Sequence, residues 1–192
     1  MSIQTFAEQR DEVNAGLAEQ APAELLEGFG RIRADQAAVD YAARAPKVGD
    51  PAPGFTLPDQ LGRQVSLLGE LQQGPVVLIF YRGEWCPYCN ALLRTYGLRA
   101  ADFSQRDARL LAVSPQTPDN SLTMAEKHSL ECPVLSDEGG EVIGSYGLKY
   151  DVPRTSCTRP VAPTCRSSMA RAAGSCPLRP CSWSTARGSF AS

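Results

Sequence analysis

The sequence predicts an α/β domain with a mostly parallel sheet between helices, preceded by a helical extension and followed by an irregular segment. Three observations support this fold class. Residues 75–81 form an apolar run without alternation, which is typical of a strand buried on both faces. Apolar residues at helical spacing follow over 90–103, and a second apolar strand follows over 109–113. Because strands alternate with helices, we expect a parallel sheet with 75–81 as its central strand.

Residues 1–45 are predicted to form the helical extension. Two segments, 3–18 and 22–44, are rich in Ala, Glu, Gln, Leu and Arg, with a break near Pro22. In the second segment four apolar residues are spaced to form one stripe: Leu25, Leu26, Phe29 and Ile32. We expect this stripe to pack against the domain that follows, with a homodimer contact or a peptide groove as the alternatives.

Residues 46–150 are predicted to form the domain itself. Pro51, Pro53 and Gly54 end the helical composition of the extension. The turn Asp59-Gln60-Leu61-Gly62 then predicts a hairpin between the flanking apolar segments. The remaining predicted elements are a helix over 118–129, a short strand over 133–135 and a helix over 140–146.

Composition excludes several classes of protein. No apolar stretch is long enough to span a bilayer, and residues 1–10 lack the basic start and apolar run of a signal peptide, so we expect a soluble cytoplasmic protein. Seven cysteines in a reducing compartment indicate reactive or incidental thiols, not a disulfide framework. The six arginines after residue 150 are scattered and have no aromatic platform, which argues against nucleic-acid binding.

The motif Trp85-Cys86-Pro87-Tyr88-Cys89 lies between the apolar strand and the helix that follows. A thiol reacts as its thiolate, and an unperturbed cysteine with a pKa of about 8.5 is mostly protonated at neutral pH. Pro87 suits the first helical position, which places Cys86 at the cap and Cys89 in the first turn, where free N–H groups and the helix dipole stabilise an anion. At this spacing either sulfur can resolve a sulfenic acid or mixed disulfide formed on the other.

Four residues near the motif or further along the chain have more than one interpretation. The guanidinium of Arg82 could lower the pKa of the thiolate or orient a peroxide oxygen, and a surface arginine is the alternative. Trp85 is expected to pack the loop, with a docking surface for a partner protein as the alternative. Cys132 fits a small buried side chain, or a second resolving thiol if its loop faces the motif. A zinc site would need a second ligand pair, and the sole histidine, His128, is expected on the surface.

An ordered series of motifs over residues 46–150 resembles the peroxiredoxin-like AhpC/TSA family. The residues that carry the resemblance are Gly49-Asp50-Pro51-Ala52-Pro53-Gly54-Phe55-Thr56-Leu57, Phe80-Tyr81-Arg82-Gly83-Glu84-Trp85-Cys86-Pro87-Tyr88-Cys89, Val113-Ser114-Pro115-Gln116 and Pro133-Val134-Leu135-Ser136-Asp137. The resemblance implies a thioredoxin-like fold and reduction of hydroperoxides with electrons from a thioredoxin-like protein. Since protein thiols alone can carry these electrons, no cofactor is expected.

The resemblance also implies roles for the site residues. Typical members present a proline, then a Thr or Ser, then the peroxidatic cysteine. With the strand ends aligned, Arg82 stands in place of the proline, Cys86 in place of the Thr or Ser, and Cys89 at the nucleophile. The branch therefore resembles a hybrid in which Cys89 corresponds to the peroxidatic thiol and Cys86 to the attacking thiol of thioredoxin. Which of the two attacks stays open at this point.

Residues 151–192 differ from the domain in amino-acid composition. Ser, Arg, Ala, Pro, Cys and Thr dominate, and no helical or alternating pattern can be traced, so the closing strands of a thioredoxin-like fold are expected to be missing or aberrant. An out-of-frame reading of residues 181–189 through GC-rich codons gives F-V-V-D-R-E-G-V-V, a strand-turn-strand pattern of the kind the family carries there. We therefore hypothesise a frameshift near residues 150–155. The four cysteines of this segment are then accidental.

Three functions are compatible with the sequence. A thiol peroxidase acting on hydroperoxides is the leading hypothesis. A thiol-disulfide oxidoreductase without peroxidase activity is the second, because the cysteine spacing fits it and the usual Thr or Ser is absent. A truncated product or interaction domain without enzymatic activity is the third, because of the aberrant last forty residues.

Overall fold

The computed structural model describes residues 4–128, 130–151 and 182–184. The helices are α1 Phe6–Gln20, α2 Ala23–Ala37, α3 Tyr41–Arg44, α4 Leu67–Leu71, α5 Pro87–Leu98, α6 Ala100–Ser104, α7 Pro118–Lys127 and α8 Glu141–Ser145. The strands are β1 Thr56–Pro58, β2 Gln64–Ser66, β3 Val76–Phe80, β4 Arg109–Ser114, β5 Val134–Ser136, β6 Lys149–Asp151 and β7 Ser182–Ser184. The elements predicted between residues 55 and 146 are present with ends shifted by a few residues, except that the single helix predicted over 90–103 is divided into α5 and α6.

The parallel sheet has the strand order β3-β4-β5. Val76 pairs with Arg109 and Phe80 with Val113, while Ala112 pairs with Val134. The prediction that residues 75–81 form the central strand is wrong for the described residues, in which β4 is central and β3 has a partner on one edge. Among the described strands none covers the other edge of β3, because β6 and β7 pair with each other in a separate sheet.

Two hydrophobic clusters cover the two faces of this sheet. One contains Ile79 and Ala112 and includes Leu93 of α5, together with both cysteines of the motif. The other contains Phe80 and Val113. Since neighbouring residues of a strand point to opposite faces, the unbroken apolar runs of β3 and β4 supply both clusters. The burial expected for residues 75–81 is complete at residues 79–81 and partial at residues 76–78, and side chains on both faces of β3 belong to the two clusters.

The hairpin β1–β2 is closed by a buried carboxylate. Asp59 is fully buried, and its Oδ1 accepts hydrogen bonds from the backbone N–H groups of Leu61 at 2.8 Å and Arg63 at 2.9 Å. Its Oδ2 accepts from Nε of Arg63 at 2.8 Å. Burial alone would raise the pKa of Asp59, but the hydrogen bonds from Arg63 and Leu61 and the charge of Arg63 lower it. The turn is therefore held by one ionised side chain.

The N-terminal helices pack on the domain through polar and apolar contacts. Thr5 caps α1 in a capping box with Glu8. The buried Gln9 of α1 donates from Nε2 to Oγ1 of Thr95 on α5 at 2.9 Å. Of the predicted apolar stripe on α2, Ile32 is buried as expected, whereas Leu26 is exposed. The helices break at Pro22, as the sequence predicts.

The last forty residues are described only in part. Most of the segment to which the frameshift hypothesis applies, residues 152–181 and 185–192, lies outside the described residues, and β7 is the described part between them. That strand pairs antiparallel with β6, with Lys149 opposite Ser184 and Asp151 opposite Ser182. Strand pairing uses backbone groups, which explains why a strand can occur without the alternating pattern. Within the described chain, no helix combines the length and apolar character needed to cross a bilayer.

Candidate active site

The cysteine motif lies at the carboxyl end of β3, where the loop 81–86 leads into α5. Cys86 is the N-cap of α5 and Pro87 is in its first turn, as the sequence predicts. Sγ of Cys86 accepts a hydrogen bond from the backbone N–H of Cys89 at 3.4 Å. A cysteine thus occupies the position at which a helix usually carries a Ser, Thr, Asp or Asn.

The second sulfur is held by the end of the preceding strand. Sγ of Cys89 accepts a hydrogen bond from the backbone N–H of Arg82 at 3.3 Å. Both cysteines are free thiols, with Cys86 1% exposed and Cys89 6% exposed. The structure therefore brings together the three residues singled out in the sequence: Cys86, Cys89 and Arg82.

The electrostatic environment separates the two thiols. A hydrogen bond from the Cys86 thiol lowers the pKa of Cys89 to about 6, against the effect of burial and with help from the guanidinium and N–H of Arg82. The pKa of Cys86 is raised because its thiol donates to Cys89 and because it is buried. Burial alone would lower the pKa of Arg82, but the two neighbouring sulfurs raise it. The arrangement favours a thiolate at Cys89 and a thiol at Cys86.

The loop that carries Arg82 has a conformation that requires glycine. Gly83 has a φ of +148°, and a Cβ atom at this position would lie 2.5 Å from Nε1 of Trp85. The guanidinium carbon of Arg82 lies 5.9 Å from the centroid of the Trp85 ring. The backbone N–H of Glu84 donates to Oε1 of the buried Gln116 at 2.9 Å. Trp85 is half-buried and packs on the core cluster of the cysteines, in agreement with the packing interpretation.

Two residues of the site were not found from the sequence. Nδ2 of Asn90 donates to the carbonyl oxygen of Glu84 at 2.6 Å and to that of Cys86 at 2.8 Å. Oδ1 of Asn90 lies 2.8 Å from Nε2 of His128. His128, which the sequence analysis expects on the surface, is half-buried at the end of α7 and lies against Asn90. The one feature of the sequence that could have pointed to Asn90 is its position directly after the motif.

Cys132 belongs to the same hydrophobic cluster but not to the hydrogen-bonded site. It is half-buried and packs against the core that contains Cys86 and Cys89. Burial raises its pKa to about 11, so the group is a thiol at neutral pH. In the part of the chain that the structure describes, no three His, Cys, Asp or Glu residues group in a way that could hold a metal ion.

Comparison with known proteins places this site in a family. The AhpC/TSA family model matches residues 48–166. A protein of Mycobacterium tuberculosis (strain CDC 1551 / Oshkosh) named as a peroxiredoxin is 34% identical over 104 residues, which are 53% of this chain and 66% of the relative. The chloroplastic peroxiredoxin Q of Gentiana triflora is 32% identical over 104 residues, 54% of this chain and 48% of the relative. The chain thus spans between about half and two thirds of the length of these relatives.

A solved structure agrees with the sequence comparisons. The crystal structure of peroxidoxin BcpB from Mycobacterium tuberculosis superposes with a TM-score of 0.52 at 32% sequence identity, covering 54% of this chain and 68% of that chain. The predicted thioredoxin-like α/β fold is therefore confirmed. Since the family model covers more than half of the chain, including the loop that holds both sulfurs, this protein is a member of the AhpC/TSA family.

Proposed function

We propose that this protein is a thiol-dependent peroxidase in which Cys89 attacks a hydroperoxide and Cys86 resolves the product. The observation that carries the proposal is the hydrogen bond from the Arg82 N–H to Sγ of Cys89 at 3.3 Å, made beside the Arg82 guanidinium. These groups, with the Cys86 thiol, stabilise a thiolate at Cys89 and leave its partner protonated. The names of the relatives, peroxiredoxin and peroxidoxin, support the same reaction class.

In the first step the Cys89 thiolate attacks the terminal peroxide oxygen. An S–O bond forms, the O–O bond breaks, and the sulfur is oxidised to a sulfenic acid while the peroxide is reduced to an alcohol or water. The departing alkoxide takes one proton. Arg82 is placed to stabilise the negative charge that moves from sulfur to oxygen during this step.

In the second step the Cys86 sulfur attacks the sulfur of the sulfenic acid. A disulfide forms, and the hydroxyl group leaves as water after taking the Cys86 proton. A dithiol protein of the thioredoxin type then reduces this disulfide and becomes oxidised itself. The reaction needs the two cysteines on one helical turn, which is where the structure has them.

The departures from the typical family pattern fit this assignment. Cys86 occupies the place of the usual Thr or Ser, and in the described structure its thiol takes the part of the hydroxyl by donating a hydrogen bond to Cys89. Arg82 occupies the place of the usual proline, and its backbone N–H, which a proline lacks, donates to the same sulfur. The Cys86 thiol therefore keeps the contact that the hydroxyl would make, and the Arg82 N–H adds a contact that a proline could not make.

A thiol-disulfide oxidoreductase remains the second candidate. The observation that favours it is the position of Cys86 at the N-cap of α5, with its Sγ accepting from the N–H of Cys89. A helix N-terminus stabilises a thiolate, and the motif can exchange a disulfide with a protein partner without any peroxide. In this reaction Cys86 would be the attacking thiol.

Peroxide consumption by the purified full-length chain, with a dithiol protein as reductant, tests the proposal. Cys89→Ser is expected to abolish consumption, while Cys86→Ser should consume about one equivalent and then stop because the sulfenic acid is not resolved. Cys132→Ser is the matched control and should turn over like the parent chain. Peptide mapping after one equivalent of peroxide should place the new disulfide between Cys86 and Cys89.

Two outcomes would contradict the peroxidase. One is steady turnover by Cys89→Ser. The other is reduction of insulin disulfides by a folded chain that consumes no peroxide, which would favour the oxidoreductase. The hydroperoxide substrate, the thioredoxin-like reductant, the cytoplasmic location and a homodimer stay predictions, and the plant relative is named as chloroplastic.

A further inference from the structure

The orientation of the Asn90 side chain is fixed by its partners. Its Nδ2 faces two carbonyl oxygens, those of Glu84 at 2.6 Å and Cys86 at 2.8 Å, and both can only accept. The nitrogen of the amide must therefore point to the loop. The remaining atom, Oδ1, lies 2.8 Å from Nε2 of His128 and can only accept in turn. It follows that Nε2 of His128 carries a hydrogen.

This bond persists whether His128 is neutral or charged. Burial lowers the pKa of His128, and the nearby positive charges of Lys127 and Arg94 lower it further, so the neutral ring predominates at pH 7. The neutral tautomer with hydrogen on Nε2 donates to Asn90, and the imidazolium form donates from the same atom. Protonation of His128 therefore does not break the contact.

The two carbonyl groups held by Asn90 belong to the loop that positions the thiolate. The carbonyl oxygen of Cys86 also accepts the backbone N–H of Asn90 at 3.0 Å, so this residue binds it twice. The Glu84 peptide is fixed on its other side by Gln116. Arg82 lies at the start of this loop, after which Gly83 adopts its positive φ. The hydrogen bonds to Asn90 thus tie the loop to the helix that carries Cys89.

His128 connects this arrangement to a separate element. It is the C-terminal cap of α7, which is outside the loop and outside α5. The ring borders an open cavity of about 520 Å³ that is also lined by Trp85 and Arg94. The Nε2–H group of His128 donates to Oδ1 of Asn90. This contact holds the amide in the orientation in which its Nδ2 faces the two loop carbonyl groups.

We propose that Asn90 and His128 are positioning residues for the redox pair, with His128 donating to Asn90 so that Asn90 holds the loop carbonyls and keeps Arg82 and Cys86 directed at Cys89. The inference rests on the proposed function for its biological meaning. Its physical content, a dependence of the Cys89 thiolate on a residue that touches neither sulfur, is measurable without peroxide.

The pH dependence of alkylation tests this dependence. Cys89 of the full-length chain is labelled with iodoacetamide across pH 5 to 9, and peptide mapping separates its labelling from that of the other cysteines. His128→Leu removes the donor and should lower the labelling rate at pH 6 about threefold, as a pKa rise of about 0.7 units would. His128→Gln places an amide N–H near the position of Nε2 and should restore the rate of the parent chain. Glu126→Leu, an exposed change on the same helix, is the control.

A spectroscopic measurement on the unmodified chain complements the variants. Because the chain has one histidine, a long-range proton–nitrogen correlation spectrum at pH 7.5 reports the His128 tautomer without overlap. Hydrogen on Nε2 is expected. Hydrogen on Nδ1 would overturn the proposal even if His128→Leu failed to fold.

The outcomes separate this inference from the proposed function. Unchanged labelling of folded His128→Leu, or a His128→Gln variant that is as impaired as His128→Leu, would overturn the positioning role while leaving the peroxidase intact. A shifted labelling profile in a chain that consumes no peroxide would support the positioning role and contradict the peroxidase.

Discussion

Replacement of Arg82 by Gln tests how the Cys89 thiolate is stabilised. The substitution removes the guanidinium charge but leaves the backbone N–H that donates to Sγ of Cys89 at 3.3 Å. The surroundings lower the pKa of Cys89 to about 6, with the hydrogen bond from the Cys86 thiol as the largest cause and the Arg82 charge as a further one. Since the thiol and the N–H remain, we expect loss of the charge to raise this pKa by about one unit, or about 1.4 kcal/mol.

The expected effect depends on pH in a defined direction. A thiol with a lowered pKa is ionised above that value, so activity should fall as the pH falls through about 6 in the parent chain. At pH 6 the thiolate fraction should decrease from about one half to about one tenth in Arg82→Gln, a loss of about fivefold. At pH 8 both proteins should be more than about 90% thiolate and should differ little.

The assay is the second-order rate constant of peroxide consumption between pH 5 and 9. If Arg82 acts only on the pKa of Cys89, the two profiles meet at high pH. If the guanidinium also orients the peroxide, the Arg82→Gln plateau stays below that of the parent chain. Arg82→Lys, which keeps a charge, serves as the comparison. Identical profiles for Arg82→Gln and the parent chain would refute both roles.

Three further predictions concern the fold. Asp59→Ala should cost about 2 kcal/mol in urea unfolding because buried N–H groups lose their acceptor. Because folding lowers the pKa of Asp59, the ionised carboxylate stabilises the fold above pH 3.8, and this stabilisation is lost as the pH falls through the lower pKa of the folded state. The free energy of unfolding of Asp59→Ala should therefore lack this loss at acid pH. If the free energies of the variant and the parent chain fell in parallel with pH, the assignment would be contradicted. Gly83→Ala should destabilise the loop by about 1 to 3 kcal/mol, measured by thermal unfolding, since its φ is +148°; an unchanged midpoint would argue against that conformation. Resequencing the DNA for codons 150–155 should reveal an inserted or deleted base, and an intact frame would end the frameshift hypothesis.

Local chemistry made most of the domain predictable. Pro87 after Cys86 fixes where α5 begins, because proline tolerates only the first turn of a helix, and the structure has Cys86 as the N-cap. The turn Asp59-Gln60-Leu61-Gly62 was predictable for a similar reason, since an Asp side chain can accept a hydrogen bond from the backbone two residues further on. Unbroken apolar runs in the sequence made β3 and β4 predictable. In each case the cause lies within a few residues of the effect.

Contacts between distant segments were not predictable in the same way. His128 meets Asn90 across 38 positions, and nothing in the composition around either residue indicates the other. The edge position of β3 depends on which segments pair with it, which the apolar pattern of residues 75–81 does not encode. The unequal pKa values of Cys86 and Cys89 likewise arise from Arg82 and from burial in three dimensions. The motif was enough to locate the site, but which of the two cysteines is ionised depends on the tertiary structure around them.

The near-complete burial of both sulfurs limits which molecules can approach them. Cys89 is 6% exposed and Cys86 1% exposed, so almost none of either residue is presented to a thiol carried on another protein. A small hydroperoxide needs far less room than a protein to approach such a sulfur. In the proposed peroxidase cycle, re-reduction by a dithiol protein would require the loop 81–86 to open, with loss of the hydrogen bonds that Glu84 donates to Gln116 and accepts from Asn90. In that cycle, oxidation would use the closed conformation of the loop 81–86 and reduction an open conformation.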